Sequence, residues 1–364
     1  RPRDWSSDVC SSDLTAMQKL TDAIERYPAR VLAVFLAVHA GLWTALPTLF
    51  FLNLPLDLIE ALVYGREWQL GYAKLPPLPW WMVDATYRLF GPDLFFYLLA
   101  QAAVVSALAF VWVTARPLAG NAGALTAILI VDGLLFFTFT APKFNHDVLQ
   151  LPLWALAGYA YWAALRQGRI LFWLLLGLAV GIAFWAKYFV VVLALPLGLF
   201  VLLDRDARRS LTTPGPWIAL VVAAVVVTPH LLWLIWNDFL PLTYVNARAV
   251  SFKESLDYLT KPTGFLLSQL GLLLPSLLIA APFLRKVARA PGEAEAARGA
   301  ADAFDRRIIT LLAFGPAMTL VAMSLVFARN AVAMWGYPLW LFAGLWIVLR
   351  SEEQTYELQS RGLI

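Results

Sequence analysis

The chain has 364 residues, 61% of them hydrophobic and only 14% charged, with a mean hydropathy of +0.70. A water-facing globule of that length cannot cover so much apolar surface, so an ordinary soluble enzyme is excluded and an all-α polytopic membrane protein is expected. The formal charge of +4 would suggest an anionic macromolecule as partner in a soluble chain; here the excess belongs in loops beside a lipid bilayer, and no nucleic-acid binding is inferred from it.

Both ends read as foreign to the fold. Asp4–Leu14, DWSSDVCSSDL, matches the translation of a sequencing adapter, and Arg350–Ser360, RSEEQTYELQS, differs only at Gln354 and Tyr356 from the translation of its reverse complement. Residues 1–14 and 350–364 are therefore expected to be adapter-derived, with the native C-terminus missing, and 15–349 to form one transmembrane domain. Cys10, the single cysteine, falls in the excluded start, so the body has no thiol chemistry.

Along that body, apolar runs match the roughly 20 helical residues needed to cross about 30 Å of hydrocarbon. Spans are expected at 31–52, 94–115, 118–139, 148–165, 170–186, 188–203, 216–236, 264–284, 308–328 and 332–349, about ten in all, with Lys187 dividing a run too long for one helix. With the N-terminus cytoplasmic, inner segments carry 15 Lys and Arg and outer segments 9, in the sense of the positive-inside rule. The Ala288–Arg307 stretch reads as a solvated cytoplasmic connector, and most of the 16 Trp as an interfacial belt.

In this topology the polar side chains gather at the outer end. After the first span, Asp57 and Glu60 lie one helical turn apart, followed by Lys74 and the stiff run Leu75-Pro76-Pro77-Leu78-Pro79. The second outer loop, APKFNHD over Ala141–Asp147, holds Lys143, Asn145, His146 and Asp147; Lys187 ends its helix; Asn237–Pro262 carries Arg248; Arg329 precedes the last span. Each residue also has a plainer structural reading. Asp57 and Glu60 serve equally to cap a loop helix, Asp147 to N-cap the fourth span, His146 as a loop histidine, and Lys187 as a lysine snorkelling to the interface. Asp132 differs, because it lies inside the third span, where an ionisable group is paired or functional; the expected partner is a lysine such as Lys143 or Lys187, unless it lines the cavity.

The Asp/Glu pair after the first span, the segment Gly71-Tyr72-Ala73-Lys74-Leu75-Pro76-Pro77-Leu78, the acid in Pro142-Lys143-Phe144-Asn145-His146-Asp147, and Lys187 closing Gly177-Leu178-Ala179-Val180-Gly181-Ile182-Ala183-Phe184-Trp185-Ala186 together resemble glycosyltransferase family 39. Thr228-Pro229-His230-Leu231-Leu232-Trp233 is similar to the branch with rhizobial lipopolysaccharide galacturonosyltransferases. The resemblance implies a GT-C fold in a bacterial inner membrane, with a periplasm-facing site. It implies a polyprenyl-phosphate-linked sugar as donor and an envelope glycolipid, glycan or protein as acceptor. It carries Asp57, Glu60 and Asp147 over as catalytic acids. Two departures stand out: the family's acidic pair is often adjacent, and a His often stands where this chain has Leu75, a role open to His146.

The chemistry needs these residue types independently. A carboxylate takes the proton of an attacking acceptor hydroxyl, with the choice between Asp57 and Glu60 open. Cations aimed at the departing phosphate stabilise its growing charge in a water-poor site, and Lys74, Lys187, Arg248 and Arg329 are the candidates. A divalent cation, if present, would sit between Asp57 and Asp147, since hard cations prefer carboxylate oxygens. The alternative is a transporter or lipid flippase, which would concentrate charge near the membrane midplane and which Asp132 alone suggests.

Overall fold

The computed structural model describes residues 19, 22–248, 250–284 and 301–360; Cys10, the adapter-like start and most of the Ala288–Arg307 connector lie outside the described residues. The helices are α1 Pro28–Phe50, α2 Leu56–Gly65, α3 Leu78–Phe90, α4 Leu94–Asp132, α5 His146–Gln167, α6 Ile170–Ala186, α7 Val191–Leu203, α8 Gly215–Trp236, α9 Leu240–Arg248, α10 Asp257–Leu284, α11 Ala303–Val326 and α12 Ala343–Ser360. No strand forms among the described residues beyond one isolated bridge between Ser251 and Arg329. Six helices are long and apolar enough to cross a membrane (α1, α4, α5, α8, α10 and α11), and two shorter apolar helices, Ile170–Ala186 and Tyr188–Leu203, lie between them.

The packing has the polarity of a protein whose solvent is lipid. The residues α1 buries are His39, Thr44 and Pro47, while Val34, Val38, Leu42 and Leu49 point outward. With hydrocarbon outside, apolar side chains gain nothing by turning inward, and polar ones avoid lipid by facing neighbouring helices. The centre is made by α4, α5 and α6, with α12 and α1 against α4 and α8 against α6. Trp154, Tyr161, Phe137 and Leu108 fill it.

Several boundaries depart from the expected spans. The second and third spans form one element, α4, bent at Gly120, whose φ of 69° is left-handed and suits glycine, just after Pro117. The third span ends at Asp132 rather than 139, giving way to turns that lead into α5. The last span opens with turns and becomes regular only at Ala343. Within the first outer loop the chain builds α3, a helix the periodicity of long apolar runs did not register; Pro77 and Pro79 suit its first turn and Arg88 its last.

Asp132 does not take a lysine as partner. Its carboxylate meets His39 Nδ1 at 2.8 Å, where α1 packs against α4. A polar partner inside the helix bundle lowers the cost of placing an ionisable group there.

Candidate active site

At one end of the bundle the N-terminus of α5 meets the C-terminus of α6, and the α2–α3 segment packs across both. Asn145 N-caps α5, its Oδ1 accepting from the Asp147 and Val148 amides at 3.0 Å each. The cap is thus Asn145 and not Asp147, which frees the aspartate's side chain. Its Oδ1 takes Lys187 Nζ at 2.5 Å, in an ion pair largely withdrawn from solvent, with side-chain exposures of 9% and 13%. Both partners also suit their helix ends, an acid in the first turn of α5 and a cation just past the last turn of α6.

Lys187 reaches Asp147 because α6 stops there: its backbone is extended, at φ −164° and ψ 135°, before the 3-10 turn Tyr188–Val190. Gln150, one turn beyond Asp147, stabilises that break. Its amide donates to the carbonyls of Ala183 at 2.9 Å and Lys187 at 3.3 Å, adding a second donor to oxygens that already accept from the Lys187 and Val190 amides. Trp154 Nε1 in turn donates to Gln150 Oε1. So α5 grips Lys187 by side chain and backbone from one face.

The first outer loop supplies the second group. Lys74 Nζ bonds both Glu60 carboxylate oxygens, at 2.7 and 2.6 Å, and lies 5.8 Å from the Tyr244 ring centre. Burial pulls the Lys74 ammonium down, but the Glu60 bond and charge more than compensate, and its pKa stands above the usual lysine value of 10.5. The two groups are joined by Asn145, whose Nδ2 donates to Asp57 Oδ2 at 2.8 Å. Among the described residues Asp57 has no ion-pair partner, unlike Glu60 and Asp147.

Of the remaining expected site residues, His146 is buried and contacts the Pro76 carbonyl at 3.0 Å, edge-on to Trp80. It therefore touches the Pro-Pro segment from another helix instead of preceding it in sequence. Lys143 is half-buried in the turn before α5. Arg329 is placed against the third outer loop, its Nη1 donating to Ser251 Oγ at 2.5 Å. Arg248 ends α9, and its side chain lies outside the described residues. Asp132 is engaged with His39.

The donor set does not fit a divalent ion between Asp57 and Asp147. No three His, Cys, Asp or Glu side chains among the described residues come together as a metal-binding group, and the Lys187 ammonium already occupies Asp147.

Three neighbours were not singled out from the sequence. Asp84 of α3, 1% exposed, accepts from Trp68 Nε1 at 2.7 Å and Arg88 Nε at 2.5 Å, locking the loop that carries Lys74; the Asp84/Arg88 spacing of one helical turn was the available signal. Gln150, fully buried, sits one turn after Asp147 on the same face. His230, also fully buried, contacts the Leu70 carbonyl and the Tyr188 hydroxyl; its place in the Thr228–Trp233 motif, as a polar residue inside an apolar run, was the available signal, though no site role was read from it.

Residues 74–233, which include Lys74, Asp147 and Lys187, match the family model described as dolichyl-phosphate-mannose-protein mannosyltransferase. The resemblance to glycosyltransferase family 39 is borne out. Among curated relatives in this group, the lipid A galacturonosyltransferase RgtD of Rhizobium johnstonii is 31% identical over 182 residues, 48% of this chain and 37% of that protein. The lipopolysaccharide core galacturonosyltransferase RgtA of the same organism is 25% identical over 267 residues, 71% of this chain and 53% of that protein. In fold, the crystal structure of ArnT from Cupriavidus metallidurans bound to undecaprenyl phosphate superposes with a TM-score of 0.62 at 18% identity, covering 91% of this chain and 62% of that one. Its apo form gives 0.61, covering 92% of this chain. The all-helical GT-C fold is therefore shared, and the chain spans about half or less of the length of the curated relatives it matches.

Proposed function

We propose that this protein is an integral-membrane glycosyltransferase that moves a monosaccharide from a polyprenyl-phosphate donor to a cell-envelope acceptor, with its site on the periplasmic side of a bacterial inner membrane. The observation that carries the reading is the division of labour among three acids. Glu60 and Asp147 are each paired with a lysine, while Asp57 is held in place by a neutral amide and has no ion-pair partner among the described residues.

In the proposed reaction the acceptor hydroxyl oxygen attacks the anomeric carbon as its proton passes to Asp57. The bond from that carbon to the phosphate oxygen breaks, its electron pair leaves with the polyprenyl phosphate, and direct displacement inverts the anomeric centre. Lys74 and Lys187 are the cations best placed to exchange a carboxylate for a phosphate oxygen as negative charge develops there. Arg329 and Arg248 stand further along the chain as candidates for the rest of the donor. An envelope glycolipid is the favoured acceptor, supported by the lipid A and lipopolysaccharide-core substrates that the names of the relatives give.

The test is release of free polyprenyl phosphate from a panel of polyprenyl-phosphate sugars by membranes holding the protein or its Asp57→Asn or Glu60→Gln form. Asp57→Asn is expected to lower release by about 100-fold or more, the usual contribution of a positioned base. Unchanged release would remove Asp57 from the role, and a collapse confined to Glu60→Gln would transfer it. Absence of release by the protein from every donor would overturn the transferase reading.

A further inference from the structure

The segment that carries Lys74 has no regular secondary structure between Gly65 and Leu78, yet it must present an ammonium to a reacting phosphate with little freedom. Such a segment keeps its place only if other elements hold its backbone. Two do, and both holds are histidines. His230 of α8 contacts the Leu70 carbonyl through Nδ1 at 2.5 Å, and His146 of α5 contacts the Pro76 carbonyl through Nε2 at 3.0 Å. The two carbonyls bracket Lys74, four residues before it and two after.

A carbonyl oxygen only accepts, so in each histidine the nitrogen facing it carries the proton. For His230 that leaves Nε2 as an acceptor, and the Tyr188 hydroxyl lies 2.9 Å from it and donates. Tyr188 directly follows Lys187, and His146 directly precedes Asp147. Each histidine therefore connects the Lys74 segment to one half of the Asp147–Lys187 pair. The contact to α8 is close enough that a Cβ on Gly71 would run into the Trp233 ring, and Trp233 stacks on His230 with 4° between planes. His146 and His230 are both at most 5% exposed, so water does not compete for these bonds.

We propose that His146 and His230 are paired positioning residues: they clamp the Lys74 segment by its backbone on both sides and set the spacing between the Lys74–Glu60 and Asp147–Lys187 groups. The inference rests on the transferase reading for its catalytic consequence, but the clamp itself is a structural statement that stands or falls separately.

The test uses the full chain in lipid nanodiscs, with His230→Phe and His146→Phe, which keep a ring in each aromatic cluster and remove the bonds. Hydrogen exchange is expected to rise at amides of Gln69–Leu75 in both variants and at Tyr188–Val190 in His230→Phe, with α4 and α11 unchanged. In polyprenyl-phosphate release, kcat is expected to fall about 10- to 100-fold, since a displacement of about 1 Å costs on that order. In a Lys74→Met background the same changes should add little further loss, because the histidines act through that lysine. Exchange in Gln69–Leu75 that stays at the wild-type level would overturn the clamp, as would fully additive losses with Lys74→Met. If either Phe variant fails to fold, His230→Gln, which retains a donor and an acceptor, should preserve loop protection and His230→Leu should lose it. Should the wild-type protein release nothing, the exchange arm still decides the clamp while the transferase reading alone fails.

Discussion

Asn145 donates its side-chain amide to Asp57 across 88 residues of sequence while the oxygen of the same amide caps α5. One neutral side chain thus sets the position of the proposed base and starts the helix that carries Asp147. A neutral donor orients Asp57, whereas Glu60 and Asp147 are each held by a lysine, which is how it differs from them.

The two duties of Asn145 separate by mutation. Asn145→Ala removes both and should cost about 1 kcal/mol of stability, the usual worth of an N-cap, together with most of the activity. Asn145→Asp keeps the cap but sets a second carboxylate against Asp57. It should retain near-native thermal stability while transfer falls. Parallel melting and release assays in nanodiscs check this; equal activity in Asn145→Asp and wild type would rule out the orienting bond.

The Asp147–Lys187 pair is largely buried, so breaking it from one side is costly. Lys187→Met should destabilise by roughly 3–5 kcal/mol because it leaves an uncompensated carboxylate. The double change Asp147→Asn with Lys187→Met should recover much of that loss without recovering transfer. Denaturation of the single and double variants, read beside release, distinguishes a structural pair from one the reaction uses.

Lys74 makes a statement about alkaline pH. Its folded pKa lies above 10.5, as the Glu60 bond outweighs the burial that opposes it. A raised pKa means the contribution to stability is fully present below the unfolded lysine value and is lost only as pH rises through the folded one. The difference in melting temperature between wild type and Lys74→Met should therefore stay constant from neutral pH to about the ordinary lysine value and shrink beyond it. A difference that shrinks already between pH 7 and 9 would contradict the pairing.

The His39–Asp132 contact separates the transferase from the transport reading. Asp132→Asn should weaken the packing of α1 on α4 and lower thermal stability, with polyprenyl-phosphate release per folded molecule unchanged. Loss of release at full folding would move Asp132 into the working site and revive the transport hypothesis.

Membrane class, the approximate number of spans and the polar islands at Asp57, Glu60, Lys74, Asp147 and Lys187 were legible in the amino-acid sequence. The reason is local: a charged side chain in a long apolar run stands out against its own neighbours, and crossing hydrocarbon demands a helix of fixed length. What the tertiary structure decided is which polar group meets which. That Asn145 and not Asp147 caps α5, that Asp132 meets His39 and no lysine, and that Lys187 turns back to Asp147 all depend on how the helices pack and on where α5 starts and α6 breaks, none of which periodicity records. α3 escaped notice because it is short and amphipathic beside a proline-rich run. The hold of His146 and His230 on the Lys74 segment was equally hidden, since a backbone carbonyl as partner leaves no trace in the side chains around it.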